Sequence, residues 1–179
     1  MNLLKESSFR PAGDIDADVP NEFGVYAIRL RVGSSLPEPF ESHLASRRSR
    51  LVYLGKATSL SKRMLGNELR GRGHGTFFRS IGAVLGYRPA AGSLVGKANQ
   101  YNFSFVAKDR ARIVAWINAH LEVSWAIVPQ TDVRAVEKAL ILEHLPLLNR
   151  EGNPLALAEL DTLRIECRTI AGGLSTSAL

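Results

Sequence analysis

An α/β domain, with a small mixed and mostly antiparallel sheet flanked by helices, is the fold this chain predicts, and three observations carry it. Two runs rich in β-formers, Phe23 to Leu30 and Arg50 to Gly55, each hold a tyrosine close to a glycine and read as a central pair of strands. A third run, Glu122 to Pro129, has the same character and ends at the proline. Between and after them lie segments of helical spacing: Ile113, Trp116, Ile117 and Leu121 in one, and a longer one from Thr131 or Asp132 through His144. The 179 residues with 45% hydrophobic content suffice for one domain with a sizeable core, since domains commonly run to about 100 to 150 residues.

In chain order, residues 1 to 20 mix acids with Pro11, Gly13 and Pro20, show no period of 2 or 3.6, and read as an N-terminal extension. The domain proper is expected over residues 21 to 155. Between the first two strands, Gly33, Ser34, Ser35, Pro37 and Pro39 lead into His43 to Arg50, a connection too long for a tight hairpin, so an insertion is expected there. Thr58 and Ser59 supply N-cap residues for a helix through Leu60 and Met64. Gly71-Arg-Gly-His-Gly-Thr76 reads as a loop, Phe77 to Leu85 as a helical or buried segment, and Asn102-Phe-Ser-Phe-Val106 as a further strand. Residues 156 to 179 form a C-terminal extension, with a short helix and then a frayed end from Ala171.

Net charge is +6, and its distribution carries more than its size. From Arg47 to Arg79 there are nine basic residues against the single acid Glu68, while acids gather before residue 23 and after residue 150. Such a basic segment suits a phosphate backbone, and Arg47, Arg48, Arg50, Lys62, Arg70, Arg72 and Arg79 are the candidate nucleic-acid contacts; a solvated basic face is the competing reading. The lone Cys167 cannot form an internal disulfide, and no secretory leader pattern opens the chain, so a cytoplasmic setting is expected. No apolar run approaches the roughly 18 residues that would span a bilayer, so no membrane insertion is expected. The dispersed histidines and Cys167 form no zinc pattern, and neither a Walker loop nor a nucleophile elbow is present.

The motifs that carry chemistry are Gly24-Val-Tyr26, Tyr53-Leu-Gly55-Lys56, Arg63 on the following helix, Glu137 within the last long helix, and Asn149 after Pro146. In this order, with apolar residues around them, they resemble the GIY-YIG nuclease superfamily over about residues 21 to 150. The insertion between the two tyrosine motifs is closest in layout to the restriction-endonuclease branch. The resemblance implies a metal-dependent endonuclease that hydrolyses phosphodiester bonds, with DNA as the substrate by analogy and Mg²⁺ or Mn²⁺ as cofactor. The rival reading is an inactive nucleic-acid-binding or scaffold module of the same fold; a protein-interaction domain is a third.

Residue by residue, Glu137 is framed by Val133, Val136, Leu140 and Ile141, so an ion pair, a proton or a metal must account for a carboxylate on that face. The resemblance makes it the metal ligand. Arg63 stays charged and can grip two phosphate oxygens, with Lys62 as the competitor if the register slips. Tyr26 is expected to activate or position water with Tyr53 as its partner, although a phenol with pKa near 10 is a poor base without a neighbouring cation such as Lys56. His74, between glycines, is a candidate phosphate or catalytic contact. Asn149 holds the site together in the family and would also serve as a helix C-cap. Glu143 lies about 120° round the helix from Glu137 and reads as solvated or structural. One such site cuts one strand, so a double-strand break calls for a homodimer, a partner protein or two visits.

Overall fold

The structure, a computed structural model, describes residues 2–173. Its centre is a four-stranded sheet in the order β1-β4-β2-β3, with β1 at Arg10–Pro11, β2 at Gly24–Leu30, β3 at Leu51–Ala57 and β4 at Leu121–Ile127. Every pair is antiparallel, so the expected mostly antiparallel sheet is wholly so. β2 is paired on both sides and buried along its whole length, which explains why its sequence alternates so poorly: both faces need apolar side chains.

Register sets the tyrosines. Tyr26 stands opposite Gly55 and Ile28 opposite Tyr53, so both phenols lie on one face of the sheet, 6.3 Å apart between ring centres. Gly55 is obligatory for steric reasons: a Cβ there would overlap the Tyr26 ring and hydroxyl. The same face takes Phe77 and Ile81 of α2 (Thr76–Val84), Ile113 and Ile117 of α3 (Ala107–His120) and Leu160 of α5 (Ala158–Ala171). The opposite face, with Val25, Ala27 and Leu54, packs on Val133 and Ile141 of α4 (Val133–His144), whose N-cap position is Asp132 as expected.

The long connection between β2 and β3 contains α1 (Phe40–Ser46), anchored by buried Phe40 and Leu44. After β3, Ser59 accepts a hydrogen bond from the Lys62 N–H at 3.2 Å, the cap the sequence indicates, but from Lys62 to Glu68 the helix is wound as a π-helix. The Leu69 N–H reaches back five residues to the Met64 carbonyl. This wider winding sets Arg63 and Glu68 side by side, where an α-helix would separate them by about 140°.

Two further differences from the sequence reading have physical causes. Residues 102–106 are extended but pair with no strand: Phe103 and Phe105 are buried, so the alternation reports burial without a ladder. Residues 1 to 20, without legible period, contribute β1 against β4 and bury Leu3, Ala12 and Ile15 in the two cores. The C-terminal helix is longer than expected, fourteen residues packed on α2, and the end expected to fray lies largely outside the described residues. No described helix is long and apolar enough to cross a membrane.

Candidate active site

β3 is the outermost strand of the sheet, and its first half is covered by the chain that follows α4. Leu145 turns that chain with a left-handed φ of 47°, after which the Leu147 and Leu148 N–H groups donate to the Leu51 and Val52 carbonyls at 3.2 and 2.8 Å. The Asn149 side chain continues the pattern. Its Oδ1 accepts from the Leu54 N–H and its Nδ2 donates to the Leu54 carbonyl, both at 2.8 Å, so a buried amide imitates one step of a strand. Asn149 thereby fixes the end of α4 to β3.

Beyond that step opens a cleft of about 810 Å³, lined by Tyr53 and Lys56 of β3, Thr76 at the start of α2, Arg134, Glu137, Lys138 and Ile141 of α4, residues 148–152, and Asp161 and Arg164 of α5. Tyr53 and Lys56 are three residues apart and so leave opposite faces of β3; only at an outer strand can such side chains border one cavity. Lys56 extends along α4 and is ion-paired with Glu137, whose side chain is 16% exposed. The Tyr53 hydroxyl makes no hydrogen bond within the described residues.

Tyr26, expected to activate water, is 0% exposed, and its hydroxyl donates to Glu68 Oε1 at 3.4 Å. It lies behind Tyr53, away from the cleft lining. Burial, then the negative charge of Glu68, pushes the Tyr26 phenol well above its ordinary value; the same two causes raise Tyr53, with Arg63 opposing both. Both phenols are therefore protonated at neutral pH.

The sign of the stability effect follows. With folded values above the unfolded value of about 10, these two groups contribute stability that is intact below pH 10 and lost as pH rises through the folded values. Absorbance titration at 295 nm is expected to show Tyr26 and Tyr53 ionising only with unfolding. Early, reversible ionisation of all four tyrosines in a folded protein would contradict this burial.

Arg63 meets Glu68 at 2.7 Å. Burial works against its charge, but the Glu68 carboxylate and the adjacent Tyr26 phenol prevail and raise its pKa. Glu68 is fully buried; it also accepts the Phe77 and Phe78 N–H groups at 2.9 and 3.3 Å, capping α2. In the sequence it stands out only as the one acid of a basic segment.

The basic segment itself is largely committed to the fold. Arg47 donates to the Leu145 and Leu155 carbonyls, Arg50 to the Leu30 carbonyl and Glu6, Arg70 to Asp16, Asn118 and the Ala12 carbonyl, and Arg79 to Asn102. Arg48, Lys62, Arg72 and His74 are exposed, and none of them lines the cleft. The positive charge at the cleft comes instead from Lys56, Arg134, Lys138, Arg150 and Arg164. Glu143 is exposed, within 3.6 Å of His144.

The fold thus joins two tyrosine strands locked by Gly55, an arginine on the next helix, a helical glutamate at a cleft, and an asparagine binding that helix to the strand. The sequence pattern of the GIY-YIG catalytic domain matches residues 24–166. The chain belongs to that family. Comparison with curated proteins and with solved structures gave no match. As a GIY-YIG catalytic domain the chain is of nuclease type, with nucleic acid as the implied substrate. The match extends past Asn149 into α5, so Arg164 falls within the family's span.

Whether the cleft suits a divalent ion turns on its donors. No group of three His, Cys, Asp or Glu gathers among the described residues. Glu137 offers one carboxylate in an open cleft, and the Lys56 ammonium seated on it marks a position favourable to positive charge. Mg²⁺ bound through one carboxylate, with water and phosphate oxygens completing its shell, fits this set.

Proposed function

We propose that this GIY-YIG domain is a metal-dependent endonuclease that hydrolyses phosphodiester bonds in nucleic acid, DNA above RNA. The observation that supports it best is the convergence of Tyr53, Lys56, Glu137 and Asn149, from distant parts of the chain, on one cleft with Arg63 held charged beside Tyr26 and Tyr53. Glu137 would hold Mg²⁺ or Mn²⁺. When bound, the ion supplies neutralisation of the phosphate charge and assistance to the departing ester oxygen.

This chain's own residues do the remainder. Tyr53, protonated and at the cleft, orients the attacking water in place of the sealed Tyr26, which serves to hold Glu68. The water oxygen bonds to phosphorus as the ester P–O bond breaks, and the water proton leaves to cleft solvent. Arg63, paired with Glu68 and outside the cleft lining but within electrostatic reach of Tyr53, would oppose from there the charge that builds on the phosphate oxygens. Lys56, released from Glu137, would offer its ammonium to a phosphate oxygen in the same cleft. Double-strand cleavage would take a second copy or a partner protein.

The test is incubation of supercoiled plasmid, single-stranded DNA and structured RNA with the protein in Mg²⁺, in Mn²⁺ and after chelation. Cutting that stops on chelation, returns with metal and is fastest on DNA is expected. One observation favours the binding-module alternative: the Glu137 carboxylate already has a cation, Lys56. Tight binding without cutting under every metal condition would establish that alternative.

A further inference from the structure

Three guanidinium groups, those of Arg63, Arg79 and Arg164, lie within electrostatic reach of Tyr53 or of one another, with one carboxylate among them, Glu68, which is already paired with Arg63; of the three, Arg164 lines the cleft. Arg79 is 7% exposed. It donates to Asn102 Oδ1 at 2.8 Å, lies 5.8 Å from the Phe103 ring centre, and its buried Nε has no partner. Arg164, on α5, lines the cleft with Tyr53 and Thr76. Its Nη1 donates to Ser80 Oγ at 2.7 Å and to the Thr76 carbonyl at 3.5 Å, while Nη2 and Nε make no hydrogen bond within the described residues. The acid one turn before it, Asp161, is ion-paired with Arg150.

Ser80 and Thr76 orient the Arg164 guanidinium without neutralising it. Positive charge withdrawn from water with only neutral acceptors is costly, and two such groups close together repel. The strain shows in both: burial, then the neighbouring Arg164, pulls Arg79 down to about 10, and burial, then Arg150, lowers Arg164. An anion in the cleft would relieve it. The free Nη2 and Nε of Arg164 form one side of a planar fork, the geometry that grips two phosphate oxygens.

We infer that Arg164, backed by Arg79, is a second phosphate subsite, which holds a non-scissile backbone phosphate of the strand whose scissile phosphate lies at Glu137 and Tyr53. The identity of the ligand as a nucleic-acid strand rests on the nuclease reading; the need for an anion does not. Tyr53 lies within electrostatic reach of both Glu137 and Arg164, so the two positions border one path along the cleft.

The experiment measures binding of a fluorescent single-stranded 12-mer by the Glu137→Ala protein, in which nothing is cut, across a salt series. Adding Arg164→Gln, which keeps a donor for Ser80, is expected to weaken binding about tenfold and to lower the log–log salt slope by about 0.7, one single-strand phosphate contact. Arg164→Lys should keep the slope. A parallel scan, replacing one phosphate at a time by methylphosphonate, is expected to reveal a sensitive phosphate beside the scissile one, and that sensitivity should vanish in Arg164→Gln. An unchanged slope and affinity in a folded Arg164→Gln protein would overturn the subsite. So would a single sensitive phosphate in the Glu137→Ala protein, a result that stands even if Arg164→Gln does not fold. Binding with the predicted slope change but no cutting by the wild type would sink the nuclease reading and leave the subsite intact.

Discussion

Glu137→Ala is expected to lower the cleavage rate by about 10³-fold, equivalent to about 4 kcal/mol of transition-state stabilisation, while leaving the fold almost unchanged. The two halves of this expectation come from different observations. Glu137 is the one carboxylate of α4 that lines the cleft, and of the two others that border it, Glu151 and Asp161, the latter is held by Arg150, so under the proposed role Glu137 carries most of the hold on a divalent ion. For stability, its partner Lys56 is exposed, and pairs of that kind contribute roughly 0 to 1 kcal/mol. The check is single-turnover cleavage in Mg²⁺ beside thermal melting of both proteins. Loss of activity accompanied by a large fall in melting temperature would mean that Glu137 is structural. Full activity in a folded Glu137→Ala protein would remove it from the chemistry altogether.

Much of this separation could be read from the sequence, and the reasons differ by residue. Glu137 was conspicuous because a carboxylate framed by Val133 and Ile141, both of them buried, has to be explained. The tyrosine strands were conspicuous because their runs are too apolar for anything but a core. Asn149 could be placed after α4, but its use as a strand mimic depends on the left-handed turn at Leu145, which no local pattern announces.

The basic segment misleads for a related reason. Charge density along a chain does not say which arginines find carbonyls: Arg47, Arg50 and Arg70 each strap distant segments together through such acceptors. The charges that do reach the cleft are Lys56 alone from the basic segment and others scattered over α4, the loop after it and α5, so no window of sequence collects them. Arg63 and Glu68 are hidden more deeply. Five residues apart, they look unrelated on an α-helix, and only the π winding joins them.

That pair gives the second large effect: Glu68→Ala is expected to destabilise the protein by about 3 to 5 kcal/mol, the usual result of removing one partner from a buried ion pair. Alanine would strand the Arg63 guanidinium, whose Nε already lacks a partner, and leave the Phe77 and Phe78 N–H groups and the Tyr26 hydroxyl without their acceptor. Glu68→Gln keeps one acceptor oxygen, enough for the Phe77 and Phe78 N–H groups at Oε2 or for Arg63 and the Tyr26 hydroxyl at Oε1 but not for both, so a smaller loss of about 1 to 3 kcal/mol is expected, the cost of leaving one set of donors without an acceptor. The pH dependence separates charge from hydrogen bonding. Burial raises the Glu68 carboxyl above its ordinary 4.5, against the pull of Arg63 and the α2 N–H groups. A raised folded value means that the contribution is fully present below the unfolded value and is lost as pH climbs through the folded one. The wild type should therefore gain on Glu68→Gln as pH falls towards 4.5, a difference readable from denaturant melts of the two proteins in parallel. A gap that widens in the other direction would show that Arg63, and not burial, governs the carboxylate, and Glu68 would then be a charged anchor for the arginine at every pH where the fold survives.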